Sequence, residues 1–429
     1  MKTRSLLLSL LSLVVAPALL AQGPGKKSSF AGKRVLFIGI DGCRADAVTA
    51  AMARGMAPQM KGLSEGESGL ISLKCYAGGE IGTPTHQPTV SGPGWTSLLT
   101  GVWINQHGVK DNRFIGGRLQ TYAHFMRRIK EVQPKSFCAS FADWPPIHDY
   151  IADGSRVGDK EFLDVKFTAV PDAKRHFIDN PEKDIEVRDA ALKTLREQNP
   201  DAMFVYFGSV DEFGHGAIDE RGSFSPENVI YLNAISHVDS HIGELVRAMR
   251  ARPQFAEEDW LVFITTDHGG RGNAHGGNSD MERNIWLIAH GTHLPRERPL
   301  HSPVPQTALV PMIYKHLGIS PKPEWTPEPP QPPPPPPPPP TANRRAKKVI
   351  RPSAAKKLKP SSSFHETTAA PPSSPSHRHQ LRRTRVAILC RGAGESLQSR
   401  CGDQQHHAAA RHDHRGQLRA TADLEARSR

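Results

Sequence analysis

The sequence is poor in cysteine. Five cysteines occur among 429 residues, and no two of them have the C-x-x-C spacing that a zinc–thiolate site uses, so such a site is not expected. Cys43, Cys75 and Cys138 precede the proline-rich part of the chain. Three cysteines cannot all pair with one another, and Cys75 with Cys138 is the disulfide we consider in an exported chain.

Long apolar runs are absent after the first twenty residues. The run from Leu6 to Leu20 follows a short basic start and precedes Ala21-Gln22, which is typical of a secretory signal peptide. We therefore expect a signal peptide over 1–21, a linker over 22–32 and a periplasmic or secreted protein. The alternative is that the run is retained as a membrane anchor. Once the signal peptide has been removed, no transmembrane span is expected.

The part of the chain that has folding potential also lacks an excess of positive charge. The whole sequence has a net charge of +12, but residues 341–429 contain 19 Lys and Arg against 6 Asp and Glu. The 340 residues before them contain 36 basic and 37 acidic residues. A protein that binds the phosphate backbone carries basic charge on its folded surface, so no nucleic-acid binding is expected of the folded domain.

The final part of the chain, 326–429, is predicted to be a disordered tail. It contains nine consecutive prolines, Pro332 to Pro340, followed by a segment rich in Arg, Ser, His and Ala. This composition cannot bury a core. Its charge suits contact with anionic polymers of the cell envelope. Alternatively, text such as that of 406–429 arises from a shifted reading frame and has no function.

Residues 33–325 have the pattern of one α/β catalytic domain. Three short apolar runs, 34–40, 202–207 and 260–265, are typical of strands covered by helices on both faces. A helix is predicted from Ser225-Pro226 to Met249, and weaker helical patterns lie at 122–130, 181–198 and 306–316. We expect a mainly parallel central sheet between two helical layers. The stretch 142–180 is predicted to be a loop or cap over the site.

Carboxylates follow each of the three predicted strands. Asp41, Asp211 and Asp267 come just past 34–40, 202–207 and 260–265. The carboxyl ends of parallel strands meet at one edge of a sheet, where ligands bind, so these acids should converge and require cations to hold them together. The histidines that accompany them complete a zinc-type ligand set; they are His215, His268 and His275.

Ser91 lies in a segment that is suited to a nucleophile. Pro93 is placed for a first helical position and Gly101 for a helix end. Ser91 would then lie at a helix N-terminus, where the helix dipole favours an alkoxide or a bound anion. An ordinary N-cap serine is the alternative interpretation. Thr89 and Thr96 are rival hydroxyls, and the spacing to Thr100-Gly101 favours Ser91.

In their order along the chain these motifs resemble the alkaline phosphatase superfamily, and within it the branch of type I phosphodiesterases and nucleotide pyrophosphatases. The resemblance covers about residues 33–320. The motifs that carry it are Gly-Ile-Asp41-Gly-Cys-Arg44, Ser91-x-Pro93 before Leu-Thr100-Gly101, His107-Gly-Val-Lys-Asp111-Asn112, Asp211-x-x-Gly-His215 and Thr266-Asp267-His268-Gly269.

The resemblance implies an alkaline-phosphatase-like three-layer sandwich with two zinc ions. One zinc would be held by Asp41, Asp267, His268 and the Ser91 oxygen, and the other by Asp211, His215 and one further histidine. His275 is our choice for that last ligand and His301 the alternative. Other divalent ions, such as Mn²⁺ or Co²⁺, suit the same donors. Ser91 would attack phosphorus and form a phosphoseryl intermediate.

The chain departs from the pattern of nucleotide pyrophosphatases close to the nucleophile. Those enzymes usually have Thr at the nucleophile position and Asn three residues later to hold a phosphoryl oxygen, whereas this chain has Ser91 and Gly94. The Gly94 N–H and the Arg44 side chain are our candidates for substrate binding, with a structural ion pair as the alternative for Arg44. Sulfatases that convert their nucleophile to formylglycine need an Arg where Trp95 stands, so conversion of Ser91 is not expected.

We therefore predict an exported two-metal hydrolase that cleaves small phosphodiester or pyrophosphate substrates. One alternative is a sulfatase-like or phosphomonoester hydrolase with the same metals and nucleophile. Another is a non-catalytic envelope protein that binds a phosphorylated glycan and is attached by its tail.

Overall fold

The computed structural model describes residues 29–169, 181–292, 294 and 303–326. The predicted signal peptide, the first part of the linker at 22–32 and the tail after 326 lie outside these residues. Within the described part of the chain, none of the helices combines the length and the apolar composition that crossing a bilayer requires.

A single sheet of eight strands forms the centre of the described domain, in the order β4-β3-β5-β1-β6-β7-β2-β8. The five strands from β4 to β6 run parallel, and β7 is antiparallel to both β6 and β2. The strands are β1 Lys33–Ile40, β2 Gly69–Tyr76, β3 Cys138–Ala142, β4 Val165–Thr168, β5 Ala202–Phe207, β6 Asp259–Thr265, β7 Asn284–His290 and β8 Val304–Pro305.

Helices cover both faces of this sheet. They are α1 Ala45–Ala53, α2 Pro58–Glu65, α3 Ser91–Thr100, α4 Ile104–His107, α5 Phe125–Val132, α6 Pro181–Glu197, α7 Ser209–His215, α8 Val229–Arg250, α9 Asp280–Arg283 and α10 Leu309–Leu317. Short 3₁₀ turns and one π-helical segment, Ile147–Ala152, complete the described elements.

Strand β1 shows why the sheet is covered on both sides. Leu36, Ile38 and Ile40 enter one core with side chains from α1, α2, α6 and α8. Val35 and Phe37 enter the opposite core with side chains from α3, α5 and α10. Because successive side chains of a strand point to opposite faces, a strand between two helical layers must be apolar throughout. The predicted α/β sandwich is confirmed.

Two expectations about where helices begin are wrong. Helix α8 begins at Val229, because the Asn228 side chain accepts the N–H groups of Ile230 and Tyr231 and caps it, so the Ser225-Pro226 start is three to four residues early. Ser91 is the first residue of α3, which places Pro93 in its third position.

The stretch at 142–180 is not wholly a loop. Its residues Val165–Thr168 form β4, which pairs with β3 at the edge of the sheet, and 170–180 lie outside the described residues. The disulfide between Cys75 and Cys138 is also ruled out. Both thiols are free, and four strands separate β2 from β3 in the sheet, a gap of roughly 24 Å at the usual strand spacing.

Candidate active site

The central strand β1 lies between β5 and β6, and the three predicted acids follow these strands. Asp41 comes directly after β1, Asp267 two residues after β6, and Asp211 lies on α7 just after β5. The structure brings them together as predicted. Ligand atoms of Asp41, Asp267 and His268 lie within 4.8 Å of one another, and so do those of Asp211, His268 and His275.

The Asp41 carboxylate is oriented by two aromatic side chains. Its Oδ2 accepts hydrogen bonds from Tyr206 Oη at 2.5 Å and from Trp95 Nε1 at 2.8 Å. Its Oδ1 is thereby turned toward the site, 3.5 Å from Ser91 Oγ and 3.4 Å from His268 Nε2. Sequence reasoning did not connect Tyr206 or Trp95 with this carboxylate, because neither aromatic residue carries a local sign of a polar role.

The rings of the three histidines are held by the same kind of contacts, with Nδ1 against a backbone carbonyl and Nε2 toward a carboxylate. In each ring Nδ1 lies 2.8–2.9 Å from a backbone carbonyl, which belongs to Asn273 for His215, to Gly269 for His268 and to Thr89 for His275. Each Nε2 faces a carboxylate: those of His215 and His275 lie 3.2 Å and 3.8 Å from Asp211 Oδ2. That of His268 lies 3.3 Å from Asp267 Oδ2. A carbonyl that fixes the proton on Nδ1 leaves Nε2 as a metal ligand.

The electrostatics of the site indicate a missing positive charge. Burial and the charge of Asp211 raise the pKa of Asp41 to about 6. Burial and the charges of Asp41 and Asp211 raise the pKa of Asp267 well above its ordinary value. Burial, together with His275, lowers the pKa of His268 to about 3, so this ring is neutral. Buried carboxylates that repel one another are stabilised by cations.

The geometry of two carboxylate oxygens also favours a bound cation. Asp211 Oδ1 and Asp267 Oδ2 are buried and have no hydrogen-bond partner among the described residues. An unsatisfied buried oxygen is costly unless a ligand meets it. The oxygen and imidazole donors fit two divalent cations, so the residues present suit the predicted metals.

His215 and Asp211 form an ion pair in this arrangement. Burial alone would lower the pKa of His215, but the hydrogen bond and the charge of Asp211 raise it to about 9. Burial alone would raise the pKa of Asp211, and the bond from His215 holds it below its ordinary value instead. The pair shows that this corner attracts positive charge, which a divalent cation would supply in place of the histidine proton.

Ser91 lies at the N-terminus of α3, with 7% of its surface exposed. Its Oγ is 3.4 Å from His268 Nε2. The next residue, Gly92, donates its N–H to Asn112 Oδ1 at 2.7 Å, and a Cβ at Gly92 would lie 2.7 Å from the Asp111 carbonyl oxygen. The loop with Asp111 and Asn112 thus closes on the helix start.

His107 supports the same helix from below. It is fully buried, its Nε2 lies 3.0 Å from Ser97 Oγ, and its Nδ1 accepts the Val109 N–H. Burial lowers the pKa of His107 to about 3. These contacts give His107 a structural role beside α3.

The two rival hydroxyls are engaged with the backbone. Thr96 Oγ1 donates to the Gly92 carbonyl at 2.6 Å within α3. Thr89 Oγ1 donates to the Gly277 carbonyl at 2.9 Å and accepts the Gly276 N–H at 3.2 Å. Ser91 is the hydroxyl of the three that faces the acids and histidines.

Our substrate-binding prediction for Gly94 needs correction. Its N–H donates to the Val90 carbonyl at 2.9 Å inside α3, so it is not directed at a substrate. Instead, a Cβ at this position would lie 3.0 Å from Asp267 Oδ2. The absence of a side chain at Gly94 therefore lets α3 approach Asp267, and an asparagine here would press on that carboxylate.

The Arg44 prediction is corrected in the same way. Its guanidinium is buried, pairs with Asp46 and donates to the carbonyls of Phe224 and Gly270. These contacts use the guanidinium to hold the loops behind the site, which is the structural alternative. The other candidate for the last metal ligand, His301, lies outside the described residues.

Comparison with known proteins agrees with this geometry. The model of the family described as type I phosphodiesterase / nucleotide pyrophosphatase matches residues 35–287. The comparison with curated proteins finds no match.

Two solved structures with a similar fold each have 15% sequence identity to this chain and a TM-score of 0.52. One is a 2-O GAG sulfatase, and the similarity covers 69% of this chain and 72% of that one. The other is a protein of Bacteroides thetaiotaomicron that is provisionally assigned as a sulfatase, with 68% and 72% covered. At this identity the likeness establishes a common fold.

Proposed function

Because the chain belongs to the type I phosphodiesterase / nucleotide pyrophosphatase family, we propose that it is an exported hydrolase that cleaves phosphodiester or pyrophosphate bonds with Ser91 as the nucleophile. The observation that carries this proposal is the position of Ser91. Its Oγ lies at a helix N-terminus, 3.5 Å from Asp41 Oδ1 and 3.4 Å from His268 Nε2, in a site with two buried carboxylate oxygens that have no hydrogen-bond donor among the described residues.

Two divalent cations, zinc by the resemblance, would complete this site. Their Lewis acidity would lower the pKa of the Ser91 hydroxyl and neutralise charge on the leaving oxygen. One cation would be held by Asp41, Asp267, His268 and Ser91, and the other by Asp211, His215 and His275. The two groups are adjacent, because His268 lies close to ligand atoms of both.

The chain's own groups orient the reaction. Ser91 Oγ attacks phosphorus as the bond to the leaving oxygen breaks, a phosphoseryl intermediate forms, and the serine proton passes to the departing alcohol or phosphate. The N-terminus of α3 favours the negative charge on the phosphoryl oxygens. Water then attacks the same phosphorus from the side that the leaving group vacated, which releases phosphate or a phosphomonoester and restores the Ser91 hydroxyl.

Trp95 bears on the sulfatase alternative. It stands where a sulfatase that matures its nucleophile would have Arg, and here it is fully buried and donates its indole N–H to Asp41. The position is therefore used to orient a candidate metal ligand. This contact supports phosphoryl over sulfuryl transfer.

The test is a comparison of kcat/KM for bis(p-nitrophenyl) phosphate, p-nitrophenyl phosphate and p-nitrophenyl sulfate with the metal-replete protein. We expect the diester to be the best substrate and its hydrolysis to be lost in Ser91→Ala, with bound metal retained. Faster cleavage of the monoester or sulfate would overturn the substrate class. Inactivity toward all three with both metals bound would favour a binding protein.

A further inference from the structure

Two loops meet beside Ser91 and are joined by hydrogen bonds that the proposed reaction does not use. We call them the nucleophile loop, His86–Ser91, and the histidine loop, His275–Ser279. They lie nearly 190 residues apart in the chain, and yet His86 Nε2 is 2.8 Å from Asn278 Oδ1. The other contacts between the loops centre on Thr89.

The main chain of Thr89 orients His275. Its carbonyl lies 2.8 Å from His275 Nδ1, so the ring donates there and its Nε2 is left facing Asp211 Oδ2 at 3.8 Å. The His275 side chain is largely buried, with 11% exposed. Its direction is therefore decided by a residue two positions before the nucleophile.

The Thr89 hydroxyl makes a second link. It is almost completely buried, donates to the Gly277 carbonyl at 2.9 Å and accepts the Gly276 N–H at 3.2 Å. One side chain thus satisfies a donor and an acceptor of the histidine loop, which fixes the backbone just after His275.

The pair of glycines after His275 is required by this close approach. Gly276 has φ +109° and lies against Val90, whose Cγ2 would be 3.3 Å from an added Cβ. A Cβ on Gly277 would lie 2.7 Å from Glu282 Oε2. Side chains at either position would push the histidine loop off its neighbours.

Glu282 holds the outer side of the same loop. Its carboxylate accepts the Gly277 N–H at 2.7 Å, the Ser279 N–H at 3.0 Å and the Ser279 hydroxyl at 2.6 Å. The histidine loop is thus fastened to α9 on one side and to Thr89 on the other.

We propose that Thr89 is a positioning residue that couples the nucleophile to the cation subsite of Asp211, His215 and His275. It aligns His275 for a cation through its carbonyl and holds the loop through its hydroxyl. By the same contacts, a cation bound at His275 orders the nucleophile loop, since coupling between two sites acts in both directions. The inference rests on the proposed metal sites, but not on which ester is cleaved.

The experiment titrates the metal-free full-length protein with Co²⁺ and follows its visible absorption together with the number of ions bound. The variants are Thr89→Val, which keeps the shape and removes the hydroxyl, and Thr89→Ser, which keeps the hydroxyl. Thr49→Val is the matched control, because among the described residues the Thr49 hydroxyl donates to the Ala45 carbonyl in α1 and makes no contact with the site.

In Thr89→Val we expect one of the two Co²⁺ ions to bind roughly 10- to 100-fold more weakly, as for other groups that orient metal ligands. Thr89→Ser should restore most of the affinity, and Thr49→Val should match the wild type. The proposal would be overturned if Thr89→Val bound both Co²⁺ ions as tightly as the wild type does. A wild-type protein that binds one ion only would also overturn it. Normal Co²⁺ binding by a wild type that hydrolyses no ester would refute the proposed function and leave this inference standing.

Discussion

The two ends of strands β1 and β6 carry buried carboxylates in opposite circumstances. Glu258, next to the amino end of β6, lies 2.9 Å from Arg34 Nε and 2.9 Å from Arg252 Nε. At the carboxyl end, Asp41 and Asp267 are fully buried, and within the described part of the chain their ion-pair contact is His268, not a lysine or arginine.

The pKa directions follow this difference. Burial alone would raise the pKa of Glu258, but the hydrogen bonds from Arg252 and Trp260 and the charge of Arg34 hold it below its ordinary value. Asp41 shows the reverse, since burial and Asp211 raise its pKa to about 6. A carboxylate that the protein neutralises itself stabilises the fold, whereas one that it leaves unneutralised is available to a cation.

The largest expected effect comes from Asp267→Asn, which removes one of these unneutralised charges. We expect kcat/KM to fall by about 10³-fold or more, equivalent to about 4 kcal/mol, because a metal ligand is lost. The metal-free variant should nevertheless melt at a higher temperature than the metal-free wild type, since repulsion with Asp41 is relieved. Metal content, kinetics and thermal melts in chelator check this; full activity with both metals would contradict it.

Glu258→Gln should produce the opposite pattern at the other end. Removing one partner of a buried ion pair leaves Arg34 and Arg252 uncompensated and should cost about 3 kcal/mol of unfolding free energy. The activity of the folded fraction should stay unchanged. Urea denaturation measures the loss, with the exposed Glu257→Gln as control, for which a change of less than about 0.5 kcal/mol is expected. Equal stability of the two variants would show that the pair contributes nothing.

The metal-free protein should lose stability as the pH rises from about 4 to about 6. Because the pKa of Asp41 is raised, the folded state binds its proton more tightly than the unfolded state, and this contribution disappears as the proton leaves. The loss is of the order of 2 kcal/mol. Glu258 has a lowered pKa and acts in the opposite direction. It stabilises the folded state at pH values above the ordinary pKa of a glutamate, and this stabilisation is lost in stronger acid.

Chemical denaturation across this pH range, in chelator, makes the measurement. Asp41→Asn should flatten the decline between pH 4 and 6, and added divalent metal should reverse it. A wild-type curve that rises over the same interval would show that Asp41 is not the group that titrates.

The smallest difference concerns two tryptophans. Trp95 Nε1 donates to Asp41 and Trp260 Nε1 to Glu258, both at 2.8 Å. Trp95→Phe and Trp260→Phe should each lose about 1 kcal/mol of unfolding free energy with the hydrogen bond. Only Trp95→Phe should also lower kcat/KM, by about 10-fold, through the orientation of Asp41. An equal loss of activity in both variants would remove the distinction between the two ends.

Much of the framework was predictable because its signals are local. The runs at 34–40, 202–207 and 260–265 became β1, β5 and β6 within one residue, since a strand buried on both faces must be apolar throughout. The position of an acid just past each run placed Asp41, Asp211 and Asp267 at one edge of the sheet. Their roles as metal ligands, and that of Ser91 as nucleophile, remain predictions.

Other features depended on partners distant in the chain. The Arg44 guanidinium is held by carbonyls 180 and 226 residues away, and a side chain at Gly94 would meet the carboxylate of Asp267. Which hydroxyl near residue 91 faces the acids was decided when Thr89 bonded to Gly276 and Gly277. A residue's own sequence neighbourhood carries no information about such contacts.

The sequence by itself thus determined which segments become strands and which acids end them, because both follow from periodicity and chain order. Only the tertiary structure decided which carboxylates would be neutralised. Glu258 packs against Arg34 and Arg252, whereas Asp267 Oδ2 has no hydrogen-bond donor in the described part of the chain and lies beside the neutral ring of His268. That outcome depends on which side chains of separate elements come within about 4 Å, where the interaction between charges is strong.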